Sequence, residues 1–229
     1  MGAEPFASEA KSFRVLTSAC GLAQWGALAT VGRRRRIEQR VDLTETRRMD
    51  AATLKREFDR DLLLGEGTCV RLRPIVPEDE AGLMALHGRL SQQTAYQRFF
   101  TIMPPLPSDW AHRPATVDYR PRPALVAVDP TPADLVGVAR YETTSEPATA
   151  EVAFVVQDSW QNRGLGTQLF GELIRAAGLN GIARFRAWVL ADNRRMLDLI
   201  SRFGRVVGRT LDHGVVDLIF EARTSAGPR

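Results

Sequence analysis

Glu151-Val-Ala-Phe-Val-Val-Gln-Asp-Ser-Trp-Gln-Asn-Arg-Gly-Leu-Gly166 is the stretch on which the fold turns. Its first half, Glu151 to Val156, is a β-branched and aromatic run of strand length. After a short polar turn it meets Gln161-Asn162-Arg163-Gly164-Leu165-Gly166, and the period then changes. Leu165, Leu169, Phe170, Leu173, Ile174 and Ala177 recur on one face of a helix that Gly178 and Asn180-Gly181 close. A strand therefore runs through a glycine loop into a helix N-terminus. Glycines at such a junction let backbone N–H groups approach an anion closely, and the helix end adds roughly half a positive charge. The segment reads as a pyrophosphate cradle. A nucleotide P-loop would need a lysine, which this region lacks, and a dinucleotide fingerprint would need a third glycine where Leu169 stands.

Working outward, Ala124–Val128, Leu135–Tyr141 and Glu151–Val156 read as three strands of an antiparallel meander, separated by Asp-Pro-Thr-Pro and Glu-Pro-Ala-Thr. Before them, Thr68–Leu72 reads as a strand, and Pro77–Gly88 and Ser91–Phe100 as helices. A long loop follows, through Pro104, Pro105 and Pro107 to Pro123. After the glycine-headed helix, Arg184–Leu190 reads as a strand and Arg194–Phe203 as a helix that Gly204 stops. Arg205–Leu211 and Val215–Phe220 form a hairpin around Asp212-His213-Gly214. The fold class expected is α/β, a mixed and mostly antiparallel sheet of about seven strands with flanking helices.

The net charge of +4 in 229 residues suggests nucleic acid or membrane only until it is located. Residues 1–60 hold 12 Lys+Arg against 8 Asp+Glu, whereas residues 61–229 carry 19 of each. The main domain is neutral, so no basic surface drives its function. Ser18–Gly32 is too short and too polar to span a membrane, and Arg33–Arg36 follow it rather than precede it, the reverse of a signal peptide. The arginine run has no interleaved aromatics and acidic residues follow it closely, which makes it a solvated, partly disordered segment rather than a nucleic-acid patch. Residues 1–66 are read as a basic extension with a helix near 50–64, capped by Asp50, spaced by Leu54, Phe58 and Leu62, and ended by Gly65. Residues 67–222 form the domain and 223–229 a disordered tail. Cys20 and Cys69 lie far apart with no metal-site spacing, so neither a disulfide nor a metal is expected, and the cytoplasm is the expected compartment.

Gln161, Gly164 and Gly166 match, without gaps, the Gln/Arg-x-x-Gly-x-Gly/Ala signature that the GNAT acyltransferase superfamily carries between its fourth strand and third helix. The chain over residues 68–222 resembles that superfamily. With Arg98-Phe99-Phe100, Ala124–Ala127 and Asn193–Met196, it looks most like the catalytic domain of bacterial Pat-type protein lysine acetyltransferases. The resemblance implies acetyl-CoA as cosubstrate, wedged between diverging fourth and fifth strands. Its pyrophosphate would meet the backbone of Arg163, Gly164, Leu165, Gly166 and Thr167. Arg163 is either a further phosphate cation or a solvent-facing loop residue. Phe154, Val155 and Val156 would present backbone groups to the pantetheine arm and thioester carbonyl. Asn193 matches an asparagine that contacts pantetheine or substrate, with helix capping as the competing account.

An amine acceptor is protonated at neutral pH, so attack on a thioester needs a base. Glu151, at the start of the fourth strand, stands where the resemblance implies the catalytic glutamate. Many relatives offer a tyrosine in the helix after the fifth strand to protonate the thiolate, but Leu197–Phe203 contains none, and no acid is assigned. His87, His112 and His213 are scattered, without metal or triad spacing. Tyr96, Trp110 and Tyr119 are candidates for the acceptor pocket or for plain packing. The implied function is acetyl transfer to a protein lysine. A small-molecule amine is the first alternative, and an open, polar 104–123 loop would favour the protein acceptor. A non-catalytic acyl-CoA sensor is the second. Membrane and nucleic-acid partners are not expected.

Overall fold

Period-two alternation of apolar residues gathers eight strands into a single sheet in the computed structural model, which describes residues 51–100 and 123–223. The readings made above for the arginine-rich extension, for the loop with Trp110, His112 and Tyr119, and for the last six residues lie outside the described residues. The strands are β1 (Arg60–Leu63), β2 (Cys69–Pro74), β3 (Ala124–Val128), β4 (Leu135–Thr143), β5 (Thr149–Val156), β6 (Arg184–Leu190), β7 (Gly204–Asp212) and β8 (Val215–Ala222). Their order is β1-β2-β3-β4-β5-β6-β8-β7, antiparallel throughout except for the parallel pair β5 and β6. A parallel pair needs a crossover connection, and α4 (Leu165–Leu179) supplies it.

The other described α-helices are α1 (Ala51–Phe58), α2 (Glu80–Gly88), α3 (Gln92–Phe99) and α5 (Arg194–Phe203). Two buried clusters lie on the two faces of the sheet. Under α1, α4 and α5 pack Leu54, Phe58, Leu165, Leu169, Phe170, Leu173, Phe185, Ile200 and Phe220. Under α2 and α3 pack Leu83, Leu86 and Ala95 against Ile75, Val126, Val138 and Val155. Each such side chain contributes about 1.5–3 kcal/mol relative to exposure, which fixes the height of α4 above β4 and β5.

One expected element changes identity. The helix near 50–64 ends at Phe58, and Arg60–Leu63 is a strand in register with β2, Arg60 opposite Leu72 and Leu63 opposite Cys69. Leu54 and Phe58 fit either reading up to that point, but Leu62 is buried as the inward residue of a strand whose neighbours Asp61 and Leu63 are exposed. An i, i+4, i+8 spacing also places residue i+8 at an even offset, so it satisfies a period of two. The sheet therefore has eight strands rather than seven, and the segment before Gly67 is part of it.

The hairpin around His213-Gly214 has both turn residues at positive φ, 45° and 81°, the handedness two-residue hairpins require. Gly204 ends α5 for a different reason from the one that places glycine after most helices. Its backbone is extended (φ −145°), and a Cβ there would collide with the Phe220 ring and come within 2.9 Å of the Glu221 carbonyl oxygen. Close strand approach, not left-handed geometry, excludes a side chain.

Candidate active site

The site begins where β5 loses its partner. β5 pairs with β4 from Ala150 to Val156, but with β6 over only three positions, Thr149–Arg184, Ala150–Phe185 and Glu151–Arg186. Beyond Glu151 the two parallel strands separate. Gln157 N–H reaches the Val136 carbonyl (2.9 Å) and Thr144 N–H the Thr149 carbonyl (3.0 Å), so odd-numbered residues of β5 direct their backbone groups to β4. The even-numbered residues Val152, Phe154 and Val156 direct theirs to the opening edge. On β6, Ala191 N–H bonds the Gly214 carbonyl (2.9 Å), which commits the odd positions to β8 and leaves Trp188 and Leu190 facing β5. The opening is a cleft of about 100 Å³ whose lining includes Glu151, Phe154, Arg98, Trp188, Met196 and Ile200.

Of the three β5 residues expected to offer backbone groups, Phe154 turns its amide and carbonyl to the opening edge and Val156 its amide, the Val156 carbonyl accepting from Gln161 (3.0 Å). Val155 does not: its amide and carbonyl turn to β4 opposite Val138, and its side chain lies in the α2–α3 core. Strand alternation makes any run of three split this way.

At the far end of the cleft the chain turns into α4. Gly164 takes φ +87°, a conformation that L side chains rarely adopt, and serves as the N-cap. The first amide to find a helical carbonyl is that of Gln168, on Gly164 (3.1 Å). The amides of Leu165, Gly166 and Thr167 consequently stand at the helix N-terminus as donors without an intrahelical partner. A Cβ on Gly166 would meet only Phe154 at 3.8 Å and Val156 at 3.9 Å, so the loop leaves open room beside the strand. Leu165 itself is fully buried and anchors the turn.

Gln161 works from behind the loop. Its side-chain amide donates to the Val156 carbonyl (3.0 Å) and to Thr94 Oγ1 (3.2 Å), tying the turn to β5 and α3 rather than facing outward. Asp158 adds a second tie, accepting from the Ser91 amide (2.8 Å), Ser91 Oγ (2.6 Å) and Thr94 Oγ1 (2.6 Å). Burial pushes the Asp158 carboxyl up, but the hydrogen bonds from Ser91 and Thr94 outweigh it and hold the group below its ordinary value. Sequence reasoning missed Asp158, although Ser91 at the N-cap of α3 was a readable signal. Arg163 is exposed, its guanidinium 5.5 Å from the centre of the Trp160 ring. Thr167 is exposed at the mouth of the loop.

Glu151 lies at the apex of the opening, half-buried. Burial pushes its carboxyl up; Arg140 opposes the rise, Glu142 reinforces it, and Arg98 and Arg186 oppose it. Asn193 caps α5, accepting from the Met196 amide through Oδ1 (3.2 Å), and Met196 lines the cleft beside it. Capping thus occupies Oδ1 and leaves Nδ2 without a partner among the described residues. Phe203 packs edge-on to Phe170 (5.4 Å), and no tyrosine is among the described residues lining the cleft. Tyr96 is exposed on α3 outside that lining, His87 is buried against Phe99, and His213 sits in the β7–β8 turn. Among the described residues no group of three or more His, Cys, Asp or Glu is placed to hold a metal, and no helix is long and apolar enough to cross a membrane.

The same fold is found in known proteins. The GNAT domain of Streptomyces lividans PAT aligns over 72% of this chain and 97% of its own, with 30% identity and a TM-score of 0.66. The family model for "Acetyltransferase (GNAT) family" matches residues 91–204. The chain belongs to the GNAT acetyltransferase family. Among curated relatives, acetyltransferase Pat of Mycolicibacterium smegmatis is 36% identical over 146 residues, 63% of this chain and 43% of that protein, so the chain spans less than half the relative's length. A variant of the cAMP-binding acyltransferase from Mycobacterium smegmatis aligns over 76% of this chain and 51% of its own (25% identity, TM-score 0.50). GNAT members use acetyl-CoA, and the residues here fit such a cosubstrate: unclaimed amides at an α-helix N-terminus, room beside Gly166, and an open strand edge leading to a carboxylate.

Proposed function

We propose that this GNAT acetyltransferase moves the acetyl group of acetyl-CoA to a protein lysine side chain by direct attack of the amine, with Glu151 as general base. The observation that carries the reading is the separation of β5 from β6 immediately after Glu151–Arg186, which puts an open polar edge between the helix N-terminus and the carboxylate. The amides of Arg163 to Thr167 would take the pyrophosphate, where backbone donors and the helix dipole add without a lysine. Acetyl-CoA supplies the activated carbonyl. The even-numbered amides of β5, at Phe154 and Val156, face the cleft as donors for negative charge developing on that oxygen.

Glu151 receives the proton that an ammonium must lose before it attacks, directly or through one water. A carboxyl lifted by burial is a better base than a surface one, because its affinity for the proton is closer to that of the amine. Met196 flanks the approach from α5, the helix that Asn193 caps. No side chain is assigned to protonate the thiolate. The preference for protein lysine rests on likeness to the two Pat proteins, and the cytoplasm is the compartment proposed with it.

The test is calorimetric titration of acetyl-CoA into wild type and Gly164→Glu, followed by CoA release on adding a lysine-containing protein mixture. Binding that Gly164→Glu abolishes, with release that Glu151→Gln removes, is the expected result. No binding to wild type would overturn the cradle, and release with small amines but not with protein would overturn the acceptor.

A further inference from the structure

Glu151 does not sit alone on its face of the sheet. The β4–β5 register puts Glu142 directly opposite it, an arrangement that destabilises two carboxylates. Arg140 lies on the diagonal, opposite Ala153, and from the other side β6 brings Arg186 into register with Glu151. Arg186 is committed elsewhere: its Nε and Nη2 grip both oxygens of Asp217 on β8, at 2.9 and 2.5 Å, and its guanidinium lies 4.7 Å from the centre of the Trp188 ring.

Of the two described helices packed over this face, α2 and α3, it is α3 that delivers Arg98 into the same cleft as Glu151. Arg98 is half-buried, its guanidinium 5.1 Å from the centre of the Phe99 ring, and among the described residues no hydrogen bond or ion pair joins it to a partner. Burying a guanidinium without a bonded partner costs free energy that packing alone does not return. A charge kept at that cost is explained by a long-range role, and the carboxylate sharing its cleft is the group it acts on. Ser91, Thr94 and Asp158 fix the N-terminus of α3, so Arg98 is held in place rather than left to wander.

We propose that Arg98 is a positioning residue whose guanidinium, together with that of Arg140, is a counter-charge that keeps Glu151 anionic opposite Glu142. The inference deepens the general-base reading but stands on a property of the chain that requires no acceptor. Glu142, Arg140, Arg186 and Arg98 are the charged groups that meet Glu151 from β4, β6 and α3. With Arg98 removed, the like-charged Glu142 and the low dielectric act against a weaker opposition, and Glu151 holds its proton to higher pH.

The experiment is a carbon-detected titration of the full chain carrying ¹³C-labelled glutamate, with the Glu151 signal assigned by its loss in Glu151→Gln. Arg98→Met, which keeps the apolar stem, is expected to raise the Glu151 midpoint by about half a pH unit or more, below what loss of a sole close counter-charge does because Arg140 remains. Arg98→Lys is expected to hold it near the wild-type value. An unmoved midpoint in Arg98→Met overturns the proposal. If Arg98→Met does not fold, Arg98→Gln takes its place with the same two outcomes. Failure of acetyl transfer alongside the expected midpoint shift would count against the function and not against this role. The kinetic counterpart is a displaced acid limb of the rate profile, which a merely structural loss would not move.

Discussion

Two glycines separated by one residue should respond to alanine with opposite sign. Gly166 lies in the first turn of α4, where a Cβ would make only ordinary contacts at 3.8 and 3.9 Å. Alanine there removes the backbone entropy that glycine costs a helix, so Gly166→Ala should stabilise the fold by about 0.5–1 kcal/mol. Gly164 has equally open space around it but sits at φ +87°. Alanine there costs about 1–2 kcal/mol of left-handed strain, and no packing relieves it. For a domain of this size each kcal/mol moves the midpoint by roughly 2–4 °C. Thermal and urea melts of both variants, in the absence of acetyl-CoA, read the pair directly. A destabilised Gly166→Ala would show that the space beside Phe154 and Val156 is not open. A neutral Gly164→Ala would show that the left-handed cap relaxes, and the cradle geometry with it. Acetyl-CoA affinity adds a control: Gly166→Ala is expected to keep it, since the family signature tolerates alanine there, whereas Gly166→Glu should lose it.

Glu151→Gln should lower kcat/KM by about 10²–10⁴ without weakening acetyl-CoA binding; an equal loss of binding would assign Glu151 to the cosubstrate instead. Because its carboxyl is pushed up in the fold, ionised Glu151 costs stability at neutral pH, so Glu151→Gln should melt higher at pH 7 and lose that gain as pH falls through the native midpoint. Asp158 has the opposite sign: held low, it stabilises above its unfolded value near 3.9 and loses that contribution as pH falls through the native one, so Asp158→Asn should destabilise at pH 7 and converge with wild type in acid melts. Gly204→Ala should cost about 1–3 kcal/mol from collision with Phe220 and the Glu221 carbonyl; an unchanged urea midpoint would contradict the close approach of β7 and β8.

The α4 stripe and the meander were legible because their burial is one-sided: Leu165, Leu169 and Leu173 face one core, and no other period fits them. Gly164 was legible because few residues tolerate its left-handed backbone, and Gly166 because of its spacing from Gly164 at the head of the helix. The strand Arg60–Leu63 was not, since a four-residue edge strand following a helix continues the same apolar spacing. The place of Gln161 was half legible: the spacing to Gly164 singles the residue out, but only the fold shows that its amide is spent on Val156 and Thr94. The neighbourhood of Glu151 was least legible, because Arg98, Arg140, Glu142 and Arg186 come from three separate elements and only pairing register brings them together.

The short β5–β6 seam has a mechanical meaning as well as a chemical one. Five strands on one side and three on the other are joined through three register pairs, Thr149 to Glu151, with α4 strapped across one face. The sheet is thus two plates on a short weld, and the weld ends at Glu151. Any twisting of one plate against the other widens or narrows the cleft while leaving the carboxylate nearly at the pivot. Glu151, the proposed base, is thereby placed nearest the pivot, and the N-terminus of α4 at the far end of β5, where a small rotation moves the walls most.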